Sequence, residues 1–506
     1  MLHYYRAAGS LLTVWALLGS ADARAQAPRF ASYAQFNDTL VAQFNRGDFK
    51  AMEAFGSEAL RKIEPLGSMA TLLEKQKAMT GRIVSSRVLP ERKTRHEFAW
   101  QGEQQNLRVN LVSSAPGVID DYFISDFIAQ PNARKTPLAT DNRKRTPLDQ
   151  AVDRAATLYM QHPDAAGMSI GVYWQGQRYF YNYGEVAKGS GRLPTASTYY
   201  NLGSVAKTFV TTLLAQAVLD KKVQLTDDVR KYLPGQYPNL EFEGQPVRLV
   251  DLATHTSGLP GAARQYSREK RAQLEKEYAD LGVRIAHYNR YTADSLLHDM
   301  HAFTLSTKPG ATYRYQNLDV LILQLALERA YQQPYEQLIT QYVQRRFGMK
   351  DTKRVLSAPE KARFATGYDE NLRAQTHANY TGYWGGSTMC STPADLLTYV
   401  QANLAEKEPA VKLAHQPAWG TSIGLGWMLD QDPDGQRRIF HNGHSIGFNT
   451  RCVMYPAEQT GVVVFVNESI SQTRVTEMEE YLKQELSRMA TPAAKPTKAG
   501  KAVGQR

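Results

Sequence analysis

Cysteine is nearly missing from this 506-residue chain: two occur, Cys390 and Cys452, and none precedes Cys390. Two thiols cannot build a disulfide framework or a thiolate metal site, and a lipid-modified N-terminal cysteine is excluded. One bridge between them and two buried free thiols both suit the sequence. Long apolar runs are also scarce, and past the first 25 residues none is long enough for a membrane-spanning helix. His298 and His301 form H-x-x-H without an acidic ligand partner, which reads as a solvated helix rather than a zinc site. No cofactor and no metal are expected.

A strong charge of one sign is missing too, once the charge is located. The net +11 sits mostly outside the regions with folding patterns: residues 1–25 carry +1, residues 130–147 carry +4 and the tail from 490 carries +4, leaving +2 for everything else. A basic linker and tail do not make a nucleic-acid face, so no nucleic-acid partner is expected.

Several segments are present in order. Arg6, an uncharged stretch from Ala7 to Ala21, and Ala23-Arg24-Ala25 before Gln26 read as a signal peptide over residues 1–25, so a periplasmic or secreted protein is expected. Within 26–129, Phe36, Leu40, Phe44, Met52, Phe55 and Leu60 recur at roughly helical spacing. Strand-like runs follow over 81–89, 94–100, 107–112 and 118–127. Helices and then a meander make a small α+β unit, similar to curved-sheet domains of the nuclear transport factor 2-like or cystatin-like kind. No acid, base and nucleophile converge there, which favours a spacer or binding role. Residues 130–147, with three Pro and five basic residues, read as a linker. A second unit spans 148–488, and the tail 489–506 reads as disordered.

The second unit opens with an amphipathic helix from Leu148 and a hairpin around Gln175-Gly176-Gln177. Next comes Gly203-Ser204-Val205-Ala206-Lys207, at the mouth of an apolar run, Phe209 to Leu219, without Pro or Gly. On a helix, residues three apart share a face, so the Ser204 hydroxyl and the Lys207 amine meet. A helix N-terminus and desolvation both disfavour a cation, pushing Lys207 towards a neutral amine that takes a proton from Ser204. The chain holds a second S-x-x-K, Ser267 to Lys270, in a charged segment with no apolar helix behind it. Residues 262–300 read as a charged surface insertion.

Downstream, Tyr315-Gln316-Asn317 precedes the apolar helix Val320 to Tyr331. A phenol shuttles protons, and an amide both donates and accepts. Tyr313 lies two residues earlier and could face the same side. The tripeptide His441-Asn442-Gly443 sits in two strands joined by a tight turn, where Gly would let a substrate lie against a strand edge.

Taken together these pieces resemble the serine β-lactamase and penicillin-binding-protein superfamily, marked by S-x-x-K, a middle Tyr or Ser motif and K-T-G. The match is closest to the branch holding class C β-lactamases, D-alanyl-D-alanine carboxypeptidases, D-aminopeptidases and related esterases, where Y-x-N and K-T-G or H-x-G stand second and third. The segments Leu252 to Pro260, Gly348 to Thr352, Ala365 to Tyr368, Ser391 to Leu396 and Gly424 to Trp427 match in the same order. The resemblance implies an α+β fold, with an antiparallel sheet flanked by helices plus a helical subdomain. It implies a hydrolase with Ser204 as nucleophile and Lys207 and Tyr315 sharing the proton. Asn317 and His441 would bind substrate beside Gly443, and the backbone N–H groups of Ser204 and His444 would form the oxyanion hole. The substrate would be a small molecule or peptide, possibly cell-wall derived.

Two departures bear on substrate. His441 replaces the usual Lys, a permanent cation, so efficient β-lactam hydrolysis is not expected. Ser387-Thr388 stand where the family often has Gly-Gly. The loops at 260–305 and 370–390 would set the choice among esters, D-amino-acid peptides and β-lactams. His255 reads as a packing residue. A non-hydrolysing penicillin-type sensor is the alternative function, and binding of cell-wall material by the first unit is a third.

Overall fold

The structure, a computed structural model, describes residues 30–58, 60, 68–89, 95–125, 137–260, 281–305, 307–369, 372–375, 382–383, 389–432, 435–469 and 472–490. The signal-peptide stretch, the second S-x-x-K, Ser387-Thr388 and the tail beyond 490 lie outside them.

The first unit begins with the helix Tyr33–Arg46, started by the Ser32 side chain accepting from the Gln35 N–H and ended by Gly47 at φ 76°. Phe36, Leu40 and Phe44, one turn apart, are buried against a four-stranded antiparallel meander, Ile83–Val88, Arg95–Gly102, Leu107–Val112 and Asp121–Ser125. Trp100, fully buried, donates its indole N–H to Asn37 Oδ1 at 2.7 Å. The helix Ser68–Thr80, which the apolar pattern did not announce, buries only Met69 and Leu73 of its apolar side chains.

The second unit is built on a six-stranded antiparallel sheet in the order Met428–Gln431, Arg437–Ser445, Phe448–Tyr455, Thr460–Val466, Gly167–Trp174, Gln177–Gly184. Every residue of Thr460–Val466 is buried, because both faces of the sheet are covered. Val462, Val464 and Val466 meet the helices Pro147–Met160 and Gln472–Ala490, whereas Val463 and Phe465 meet the helical side. There the helix Lys207–Leu219 runs through the core, buried nearly all round, beside Asn317–Tyr331 and Pro393–Ala405. This is the mixed α+β architecture expected of the chain.

Two local readings change, and one left open is closed. Residues 137–146, read as part of a linker, lie along the hairpin: Thr140 bridges Tyr183, Asp141 accepts from Asn182, and Thr146 with Asp149 forms a capping box for Pro147–Met160. Short polar side chains fasten most of this stretch, and Leu138 packs against the core beside the helix Pro147–Met160. The helix Ala293–Met300 is no mere surface element, since Leu296 and Met300 are fully buried in the main core. Cys390 and Cys452 are both buried free thiols.

Candidate active site

Ser204 sits in a short 3-10 turn, Gly203–Ala206, that leads directly into the helix Lys207–Leu219. The turn is possible because Gly203 adopts φ 51°, and because no Cβ intrudes: one placed there would meet the His444 backbone nitrogen at 2.6 Å. Lys207 Nζ donates to Ser204 Oγ at 2.8 Å. The amine is 1% exposed, and burial pulls it down to about 7. A large fraction of the molecules therefore carry a neutral amine next to the hydroxyl at neutral pH. Ser204 itself is partly exposed, so the pair has one dry end and one open end.

The third motif lies on Arg437–Ser445. Its neighbour Met428–Gln431 pairs only as far as Phe440, so from His441 to Ser445 the strand has, among the described residues, a partner strand on one side alone. Gly443 packs face-on against the nucleophile turn, where an added Cβ would lie 2.0 Å from the Leu202 carbonyl oxygen. The close approach expected at Gly443 is thus made by the chain's own backbone rather than by a substrate. His444 brings its main chain against Gly203, beside Ser204.

His441 is 3% exposed, and its Nδ1 meets the Asn442 carbonyl oxygen at 2.7 Å, so Nδ1 carries the hydrogen. Burial, with the Lys207 charge second, pushes the ring down to about 3. His441 is a neutral imidazole at any ordinary pH. Behind it, Asn442 Oδ1 accepts from Arg451 at 2.7 Å, and Arg451 pairs with Glu479 at 2.9 Å, both fully buried.

The middle motif comes from the loop before the helix Asn317–Tyr331. The Tyr315 ring lies 5.2 Å from Lys207 Nζ and 6.4 Å from the His441 ring. Tyr313 turns elsewhere, edge-on to His255 at 6.2 Å and near Trp419 at 6.1 Å. Of the two tyrosines, Tyr315 is the one beside the Ser–Lys pair. Asn317 opens the helix, and no hydrogen-bond partner reaches its buried Oδ1 among the described residues. The fold therefore brings Ser204, Lys207, Tyr315, His441, Gly443 and the His444 backbone to one place.

One residue beneath the site escaped the sequence reading. Asp319, fully buried in the first turn of Asn317–Tyr331, accepts from Ser257 Oγ at 2.6 Å and Gln316 Nε2 at 3.1 Å, and meets His255 Nδ1 at 3.0 Å. Burial pushes its carboxyl above the usual range while these donors oppose the push. A lone acid at the head of an apolar helix was the available signal, but the dipole-favoured position of Asp in a first turn explains it equally well.

A family model described as Beta-lactamase matches residues 152–486. The chain is 29% identical over 299 residues to a beta-lactamase of Pseudomonas fluorescens, covering 56% of this chain and 75% of the relative. It is 26% identical over 339 residues to the D-alanyl-D-alanine-carboxypeptidase/endopeptidase AmpH of Escherichia coli K12, covering 63% and 83%. Among solved structures, a beta-lactamase/D-alanine carboxypeptidase from Yersinia pestis superposes with a TM-score of 0.58 at 24% identity, covering 67% of this chain and 98% of that one. A class C beta-lactamase does so at 0.56 and 22%, covering 68% and 99%. At those identities the two structures speak to fold alone.

Proposed function

The chain belongs to the β-lactamase family of serine hydrolases, and on that premise we propose that it cleaves an amide or ester bond through an acyl-enzyme on Ser204. The observation that carries this reading is the 2.8 Å bond between Ser204 and a buried Lys207 held near neutrality. The neutral amine takes the Ser204 proton as Oγ attacks the carbonyl carbon. Tyr315 hands a proton to the departing nitrogen or oxygen and then helps water attack the ester. The N–H groups of Ser204 and His444 hold the developing oxyanion, and losing one such donor commonly costs ~10²–10³-fold. Asn317 orients Lys207 and the acyl side of the substrate.

The neutral His441 shapes substrate choice. It offers hydrogen bonding in place of a permanent charge, which favours an ester or amide with no carboxylate at that position over a β-lactam. Export to the periplasm or medium is proposed from the N-terminal segment.

The test is one panel of p-nitrophenyl esters, D-alanyl peptides and nitrocefin, run with the unaltered protein and with Ser204→Ala. Turnover that disappears in the variant supports the proposal. Full turnover in Ser204→Ala would overturn it, and a stoichiometric burst without turnover would indicate an acyl-binding sensor.

A further inference from the structure

The segments carrying His255 and Tyr315 are fastened to each other before any side chain is counted. Gly310 N–H donates to the Thr256 carbonyl at 2.8 Å, and Arg314 N–H donates to the His255 carbonyl at 2.7 Å. His255 itself adopts φ 57°, a left-handed conformation uncommon outside glycine although tolerated by His and Asn. Such a conformation persists only where its surroundings over-determine it. Here they do: the imidazole is 4% exposed, its Nδ1 meets Asp319 Oδ2 at 3.0 Å, and its face lies 4.4 Å from the Tyr315 ring at 48°. Asp319 is in turn fixed by Ser257 and Gln316 on Oδ1.

This makes a continuous stack from a buried carboxylate through an imidazole to the phenol beside Lys207. Packing alone would be served by an apolar ring in place of His255, with no carboxylate taken out of water beneath it. In some proteins a buried charge is retained for the geometry that its hydrogen bonds fix. We propose that Asp319 and His255 are positioning residues for the hydrolytic reaction, with the carboxylate locking the imidazole's orientation and tautomer and the imidazole holding Tyr315 over Lys207. This deepens the acyl-enzyme reading and rests on it. Neither residue touches the reacting atoms.

Because a carboxylate accepts only, the imidazole hydrogen is on Nδ1. Asp319→Asn keeps the shape and the two bonds on Oδ1. It turns an N–H towards His255, so Nδ1 must accept and the ring hydrogen must move to Nε2. His255→Asn keeps the left-handed backbone and a donor for Asp319, and removes the ring under Tyr315.

Both variants should be purified as the full chain and assayed on an activated p-nitrophenyl ester. For each the expected result is a fall in kcat of roughly 10–100-fold, the range seen when an outer residue that orients a reactive group is lost, with KM within about twofold. The discriminating measurement repeats His255→Asn in a Tyr315→Phe background. A residue acting through Tyr315 causes no further loss of kcat there, whereas a general structural role lowers both backgrounds equally. Equal loss in both backgrounds, full kcat in both single variants, or a rise in KM alone would overturn the proposal. Ser204→Ala serves as the control: if it stays active, the acyl-enzyme reading has failed instead.

Discussion

Two lysines in this molecule are almost equally buried and behave in opposite ways. Lys207 is 1% exposed, bonds a hydroxyl, and is pulled by burial down to about 7. Lys483, 3% exposed on the other side of the sheet, is pulled by burial in the same direction. Its bonds to Glu458 at 2.7 Å and its ion pair with Asp432 at 3.1 Å outweigh that pull and leave it raised. Burial sets the size of the cost, and the presence of a carboxylate decides whether the group answers by staying charged or by giving up its proton. On one face of the sheet a buried lysine is kept charged by carboxylates; on the other a buried lysine has none and keeps an easily neutralised amine for chemistry.

The sharpest way to break this comparison is to remove the hydroxyl that Lys207 serves. Ser204→Ala should lower kcat/KM by ~10⁴-fold or more on every substrate turned over, as loss of a nucleophile does; steady-state kinetics decides it. Lys207→Met should lower kcat by ~10²–10⁴-fold and yet stabilise the fold. An amine held at about 7 instead of its ordinary 10.5 costs the folded state on the order of 4 kcal/mol near neutral pH. The folded value is depressed, so that cost is complete below about 7, shrinks as pH rises, and is gone above about 10.5. The stability gap between Lys207→Met and the unaltered protein, read by denaturant unfolding, should therefore close between pH 7 and pH 10.

Lys483→Met should do the reverse. It takes the lysine partner from Asp432, itself 5% exposed, and should destabilise by about 3–5 kcal/mol, as breaking a buried pair does. The rate per folded molecule should hold. If both lysine variants shifted stability in the same direction, the contrast drawn above would be wrong. The smallest effect is the pH profile: kcat/KM should fall about tenfold per unit below about pH 7, as Lys207 takes up its proton. His441 lies too low to produce that limb, so His441→Gln should leave its midpoint in place.

Much of this was readable from residue order. The three-residue spacing of Ser204 and Lys207, the apolar run behind them and the Y-x-N and H-x-G tripeptides encode local geometry, and local geometry survives in sequence. What did not survive is contact between distant segments. His255 and Asp319 are 64 residues apart, and nothing in either neighbourhood says that a buried carboxylate awaits that imidazole. The choice between Tyr313 and Tyr315 was closed by a loop direction that spacing does not set. The helix Ser68–Thr80 went unread because Met69 and Leu73 are the only apolar side chains buried along it, too few to make a stripe.

The contact between the Gly203 turn and the Gly443–His444 stretch has a consequence for how such a protein changes over time. Main chain meets main chain there, with the Leu202 carbonyl filling the space that any side chain at 443 would need. The spacing between nucleophile and strand edge is therefore independent of which side chains line the cleft. Surrounding loops are free to drift in length and composition, trading one substrate for another, while the attacking oxygen keeps its place. Replacing either glycine would forfeit that freedom in one step.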